Sequence, residues 1–410
     1  MKRILILGGG TGGTIVANRL RRELDGEWNI TVIDRSPGHH YQPGYLFIPF
    51  SSSSPEKIVK DRASFFSAGI DYVEKVVSRL ECANNKVIFE DGEEMEYTWL
   101  VVASGTRIRP DLTPGMKDGE LWGKDVFDFY TKEGATALRE RLSALEEGKL
   151  VVHVTDMPIK CPVAPLEFTL LAEDMLRKRR IRHKVDVTYV TPLDAPFTKP
   201  IASRELSSLL EERSIFVETD FATESIDNEN HEVVSYDGRR IPFDVLVTVP
   251  LHTGQAFIED SDIGDEMHFV PVDKYTLRST EWDNVFGIGD ATNLPTSKAG
   301  AVVHFSAPVV VENLLAAIDG RELPEKFDGH ANCFIESGRG EALLLDFNYD
   351  QEPLTGHFPT PAGPMTLLGR SKINHMGKLA FEQIYWRVLL PGHDMPIPDK
   401  MSMWGKKEEN

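Results

Sequence analysis

Cysteine is scarce, with only Cys82, Cys161 and Cys333 in 410 residues. So few and scattered thiols cannot make a disulfide scaffold, and no CxxC or paired His/Cys spacing marks a metal site. Any disulfide is expected to be reactive. Positive charge is also in deficit, 45 Lys and Arg against 64 Asp and Glu, a net charge of −19. Such a chain repels phosphate backbones, so no nucleic-acid partner is expected. No stretch reads as the run of about 18 apolar residues that a spanning helix needs, which leaves attachment to a membrane surface open. The start, Met1-Lys2-Arg3 before an apolar run, is not expected to be a cleavable signal peptide, because glycines interrupt the run and no small-residue cleavage site follows.

What is present is globular: 41% apolar and 27% charged residues, with 32 Gly and 25 Pro spread along the chain, and a length suited to two or three domains. The apolar run from Arg3 to Leu7 reads as a buried parallel strand. It leads into Gly8-x-Gly10-x-x-Gly13 and a helical pattern, then a second apolar run ending at Asp34. That order is a βαβ unit with an acid about twenty residues past the last glycine. The glycines let the backbone approach a pyrophosphate, the helix N-terminus supplies N–H donors, and Asp34 suits a ribose hydroxyl. Single strands are expected over 71–78 and 99–104, and a hairpin over 86–97 turning at Asp91-Gly92.

A second βαβ pattern follows: a strand over 150–155, a helix over 164–180 and a strand over 185–191. Its turn, residues 155–165, contains no glycine. Side chains there keep a pyrophosphate away, so NADH binding is disfavoured. Beyond it, Gly287-x-Gly289-Asp290 closes another strand, with Lys298 at the start of the next helix. Cys161 lies just ahead of a helix, where the terminal N–H groups favour a thiolate and an acidic thiol is expected. Cys82 reads as structural.

Together, the glycine turn with Asp34, the Ala103-Ser104-Gly105-Thr106 segment and Gly287-x-Gly289-Asp290 resemble the disulfide-reductase superfamily of flavoproteins. Cys161-Pro162, Glu167-Phe168 and Cys333 make the chain similar to the sulfide:quinone oxidoreductases and the related flavocytochrome sulfide dehydrogenases. The resemblance implies an α/β fold of two Rossmann-like units and a C-terminal amphipathic, membrane-associating region. The expected division is 1–110 with 245–320 for FAD, 111–244 for a second unit without a nucleotide loop, and 321–410 for quinone and membrane. It implies a catalytic pair, Cys161 and Cys333, whose disulfide is opened by sulfide, leaving a persulfide while electrons pass through FAD to a membrane quinone. Cofactor contacts are expected from Gly8, Gly10, Gly13, Asp34, Arg35, Gln42, Pro43, Ser104, Gly105, Gly289, Asp290 and Lys298. Quinone contacts are expected from Phe347, Phe358, Tyr385 and His304. Relatives carry a further cysteine where this chain has 126–131, or attach flavin in the first loop, here 39–43; neither holds a thiol, so FAD is expected to be non-covalent. The alternatives are a type II NADH:quinone reductase and a non-catalytic flavoprotein sensor or scaffold.

The tail differs in charge. Residues 370–410 hold seven Lys and Arg against five Asp and Glu, net +2, leaving −21 on the rest. Ile373, Met376, Leu379, Ala380, Ile384 and Val388 recur at helical spacing, and Met, Ile and Trp alternate with lysines over 394–407. The pattern predicts peripheral, monotopic attachment to a membrane of unspecified face, and self-association stays open.

Overall fold

In the computed structural model, which describes residues 2–395 and 397–407, the first apolar runs form a five-stranded sheet. In spatial order its strands are Val285–Gly287, Trp99–Val102, Arg3–Leu7, Asn29–Asp34 and Ile70–Glu74, and all neighbours are parallel. Both faces are covered, so Ile4, Leu5, Ile6 and Leu7 are all buried instead of alternating. Arg3–Leu7 pairs on one side with the strand that follows its helix and on the other with one from much later in the chain. The crevice beyond its C-terminal end is therefore the place where this kind of sheet binds ligands.

The second sheet runs Val126–Phe127, Val245–Val249, Gly148–Val154, Val185–Val190 and Phe216–Glu218, again parallel. This corrects the expected boundary at 245: Val245–Val249 lies between two strands of the second unit, with Leu150 opposite Val245. An antiparallel pair, Arg107–Ile108 with His252–Thr253, carries the chain between the units. The single strand expected over 71–78 is also two: Ile70–Glu74 stays in the first sheet, and Val77–Glu81 joins the predicted hairpin, whose Gly92 has φ +82.

Helix Gly300–Ile318 is long and apolar enough to span a bilayer, contrary to the sequence expectation, but it is mostly buried and packs against the helix Thr11–Glu23. It is a core helix. The C-terminal unit is a five-stranded sheet, Ala331–Gly338, Glu341–Phe347, Met365–Leu367, Thr355–Phe358 and Lys406–Lys407, with the tail helix Lys372–Ile384 inserted along the chain before its last strand. The Ser371 side chain caps that helix by accepting from the N–H of Asn374.

Only part of the predicted apolar stripe faces outward. Ile373, Met376 and Leu379 are 47%, 66% and 52% exposed. From Tyr385 to Leu389 the helix widens into a π-helical turn, and Tyr385, Trp386, Leu389 and Leu390 are buried. The segment predicted to lie along a bilayer over 394–407 returns to the protein instead. The Lys406 ammonium pairs with the buried Asp346 carboxylate at 2.6 Å, leaving Met403 and Trp404 exposed. Pro396 and residues 408–410 of the predicted tail lie outside the described residues.

Candidate active site

The dinucleotide crevice is built from backbone. Gly8 sits at φ +100, and a Cβ there would meet the Ala103 carbonyl oxygen at 2.5 Å; a Cβ on Gly13 would lie 1.8 Å from the Gly8 carbonyl oxygen. Those two glycines hold strand, turn and helix at a spacing that no side chain permits. A Cβ on Gly10 or Gly105 would meet nothing within 4 Å, and the Ser104 and Thr106 hydroxyl oxygens are buried without partners. A backbone cradle lined by unspent hydroxyls fits an adenine dinucleotide.

Asp34 closes one side of this cradle. Its Oδ2 accepts from the Gly9 N–H at 2.8 Å and pairs with Arg62 Nη1 at 2.7 Å, while Oδ1 accepts from the Ser36 N–H at 3.2 Å. Arg62, buried against this loop, has no local motif and was not expected. Arg35 is exposed and makes no ion pair among the described residues. Gln42 and Pro43 are exposed in a 3₁₀ turn, where Gln42 Oε1 accepts from Lys160 Nζ at 2.6 Å. Gly289 has φ +69 at the turn carrying Asp290. Burial pushes the Asp290 carboxyl up, against the opposing pull of Lys298 and Lys160. The Lys298 ammonium donates to the carbonyls of Thr292 at 2.6 Å and Asp290 at 3.3 Å, and burial lowers it to about 8.

The glycine-free turn of the second unit reaches this crevice. The Cys161 N–H donates to the Lys298 carbonyl at 2.6 Å, and Lys160 and Lys298 form a parallel bridge. Pro158, Pro162 and Pro165 remove three amide donors from the turn, and Cys161 takes the left-handed φ of +48, uncommon for a residue with a side chain. Tyr130, in the stretch where relatives carry a further cysteine, donates its hydroxyl to the Cys161 carbonyl at 3.2 Å.

Cys333 is on strand Ala331–Gly338, against which the helix Ala164–Lys178 packs. The charge of Cys161 helps raise the Cys333 thiol, after burial, so the two lie within electrostatic reach; both are free cysteines. The expected acidic Cys161 is not found. Although the residue keeps intermediate exposure, burial pushes its thiol up to about 12, with the Glu167 carboxylate adding to the rise and Lys378 opposing it. Desolvation outweighs the helix terminus. Cys82 is buried, with its N–H on Asp262 and its thiol also pushed up to about 12 by burial.

Each of the four residues expected to contact quinone has its own surroundings. Tyr385 is buried, its ring is 4.9 Å from that of Tyr41, and its hydroxyl bonds His39 Nε2 at 2.7 Å and Thr11 Oγ1 at 2.9 Å, beside the glycine turn. Phe347 is buried, with Lys199 over its ring at 5.3 Å. Phe358 lines a small cavity with His330, Asp346, Ile397 and Lys406. His304 is buried with Nε2 unpartnered; burial lowers it to about 4. Its neighbour Phe305 stacks on His330 at 3.8 Å.

Residues 2–152 match the pyridine nucleotide-disulphide oxidoreductase family. The mitochondrial sulfide:quinone oxidoreductase of Dictyostelium discoideum is 30% identical over 355 residues, covering 85% of this chain and 78% of the relative. This chain belongs to the sulfide:quinone oxidoreductase family. The Schizosaccharomyces pombe mitochondrial sulfide:quinone oxidoreductase is 29% identical over 413 residues, covering 94% of this chain and 89% of its own. The solved sulfide:quinone oxidoreductase of Aquifex aeolicus has the same fold, with a TM-score of 0.81, 21% identity, and coverage of 96% of this chain and 92% of that one. As a member of this family the chain is a flavoprotein, and the cradle at Gly8–Gly13 is where its residues fit FAD.

Proposed function

We propose that Cys161 and Cys333 are the sulfide-oxidising pair of this sulfide:quinone oxidoreductase. The observation that supports the reading is that the helix following the Cys161 turn packs on the strand carrying Cys333, and that both thiols are flanked by Glu167 and Lys378. Hydrosulfide attacks their disulfide, one S–S bond breaks as another forms, and a persulfide and a thiolate result. The turn that presents Cys161 is held to the cofactor side by the Lys298 carbonyl, so the nucleophile's position depends on both units. The Lys378 ammonium sits where it steadies thiolate character on either cysteine.

Gly8, Gly10 and Gly13 hold the pyrophosphate, Asp34 with Arg62 the ribose side, and Ser104, Thr106 and the Asp290 turn the remainder of FAD. When bound, FAD supplies a two-electron acceptor that passes electrons to a quinone. With no thiol in the first loop or at 126–131, a cysteinyl thioether cannot form there, and FAD is expected to be held non-covalently. The type II NADH dehydrogenase reading is disfavoured by the three prolines and the absent glycines of the second turn.

Attachment to a membrane rests on exposed Ile373, Met376 and Leu379 on one helix, with Met403 and Trp404 beyond it. Apolar exposure of this kind suits an interfacial helix. The quinone ring reaches the protein from that side, with Phe358 at the cavity near His330.

Under anaerobic conditions sulfide bleaches the visible flavin band of the wild-type protein and NADH does not. Cys161→Ser and Cys333→Ser each abolish sulfide-dependent quinone reduction while keeping bound flavin. Bleaching by NADH alone, or full activity in Cys161→Ser, would overturn the reading.

A further inference from the structure

Behind the two cysteines lie two contacting pairs of ionisable groups, Glu167 with Lys378 and Glu336 with His375, of which the chemistry above uses only the charge of Lys378. Glu167, 2% exposed at its side chain, accepts from Lys378 Nζ and, at 2.7 Å, from the Glu336 N–H. Lys378 also donates to the Phe334 carbonyl at 3.2 Å and feels the Glu336 carboxylate as well as that of Glu167. The Glu336 side chain is 1% exposed, and both its oxygens lie on His375 Nδ1, at 2.9 and 3.0 Å. His375 is the most exposed of the four at 28%, with Lys378 at 12%. The groups come from three separate elements: the helix behind Cys161, the strand carrying Cys333, and the tail helix.

We propose that Glu167, Lys378, Glu336 and His375 form a proton route from the cysteine pair to the surface. The proposal rests on the sulfide-oxidising reading. Hydrosulfide oxidised to sulfane sulfur gives up two electrons and one proton, and that proton is left on the persulfide once sulfide has opened the disulfide. Glu167 accepts it and hands a proton to Lys378, its hydrogen-bond partner; Lys378 passes one, across a gap wider than a hydrogen bond and bridged by water, to Glu336; His375, on both Glu336 oxygens, receives it and releases it to solvent. No group is consumed, and the electrons leave separately through the flavin.

Burial lowers the Lys378 ammonium, but the Glu167 and Glu336 carboxylates outweigh it and raise the group, so the carboxyl of Glu167 is the more mobile end of the pair. Glu167 faces Cys161, Cys333, Tyr41, Tyr130, Lys378 and Glu336, and burial raises its carboxyl while Lys378 lowers it. A buried carboxyl pulled both ways is suited to gaining and losing a proton during turnover. Lys378, Glu336 and His375 are positioning and relay groups rather than sulfide-binding ones, because none of them is on the cysteine turn.

The test uses the flavin-loaded protein, anaerobically, with sulfide as the probe, a pH-indicator dye for released protons, and the flavin band for electron arrival. In Glu336→Gln and His375→Ala we expect proton release and sulfide-driven bleaching to slow about tenfold or more. The pH profile should become steeper, and added imidazole should restore His375→Ala. Reoxidation of the dithionite-reduced proteins by quinone should stay at the wild-type rate. Thermal melting is followed in parallel, since a purely structural line would lower the melting temperature without changing the pH profile or responding to imidazole. Wild-type rates of proton release and bleaching in both folded variants would overturn the route; failure of the wild-type protein itself to bleach with sulfide would overturn the underlying function instead.

Discussion

The backbone N–H of Cys161 donates to the carbonyl of Lys298 at 2.6 Å, joining the glycine-free turn of the second unit to the segment that opens helix Gly300–Ile318. The contact uses backbone on both sides, so this part of the placement of Cys161 survives side-chain substitution, whereas the Tyr130 hydroxyl on the Cys161 carbonyl does not.

The acidity of Cys161 depends on two opposing neighbours. Glu167→Gln removes the carboxylate that raises the thiol and leaves Lys378 unopposed, so the thiol falls from about 12. Alkylation of the reduced protein by iodoacetamide, followed by mass spectrometry, should then be about tenfold faster at Cys161 in the neutral to alkaline range. Lys378→Met should slow it.

Gly13→Ala places a Cβ 1.8 Å from the Gly8 carbonyl oxygen, forcing the glycine turn away from the helix. The purified protein should carry little flavin, measured by its absorbance relative to protein. Gly26→Ala, in a loop where a Cβ meets nothing within 4 Å, should keep full occupancy.

Tyr385→Phe leaves His39 Nε2 buried without its partner and frees Thr11. The expected loss is about 1–3 kcal/mol in unfolding free energy. His39 Nδ1 lies 3.1 Å from the Gly9 carbonyl, so flavin release on dilution should also quicken. Unchanged melting and retention would disconnect the tail from the cofactor turn.

Membrane attachment should fail when the exposed stripe is charged. Met376→Asp with Leu379→Asp should move the protein from the pelleted vesicle fraction to the supernatant while leaving sulfide-dependent bleaching intact. Persistence on vesicles would remove this helix as the anchor.

Four buried histidines set a pH limit on stability. Burial lowers His39, His153 and His252 to about 3 and His304 to about 4, from 6.5 when unfolded. Between those values the unfolded chain binds more protons than the folded one, so stability rises with pH across that window. The contribution is fully present above pH 6.5 and is lost progressively as pH falls through about 4 for His304 and about 3 for the other three. Urea midpoints measured over that range should decline, and His153→Gln should flatten the decline.

Local chemistry determined much of this protein directly. Strand, glycine turn, helix and acid follow one another within forty residues, so the cradle at Gly8, Gly10 and Gly13 is legible in the chain, as are the hairpin at Gly92 and the absence of glycine from the second turn. Contacts distant in sequence were not legible. The second sheet takes Val245–Val249 because its register places Val245 beside Leu150, and no local pattern states which of two apolar sheets a strand will join. Arg62 reaches Asp34, and Tyr385 reaches Thr11, across stretches that carry no motif. The acidity of Cys161 was misjudged for the same reason: a helix terminus is visible in sequence, whereas desolvation is a property of everything packed around the thiol. The sequence by itself determined the dinucleotide cradle and singled out Cys161 and Cys333 as the proposed redox pair. Tertiary structure alone decided that they lie within reach of each other and which charges surround them, because burial and long-range packing exist only once the three sheets have assembled.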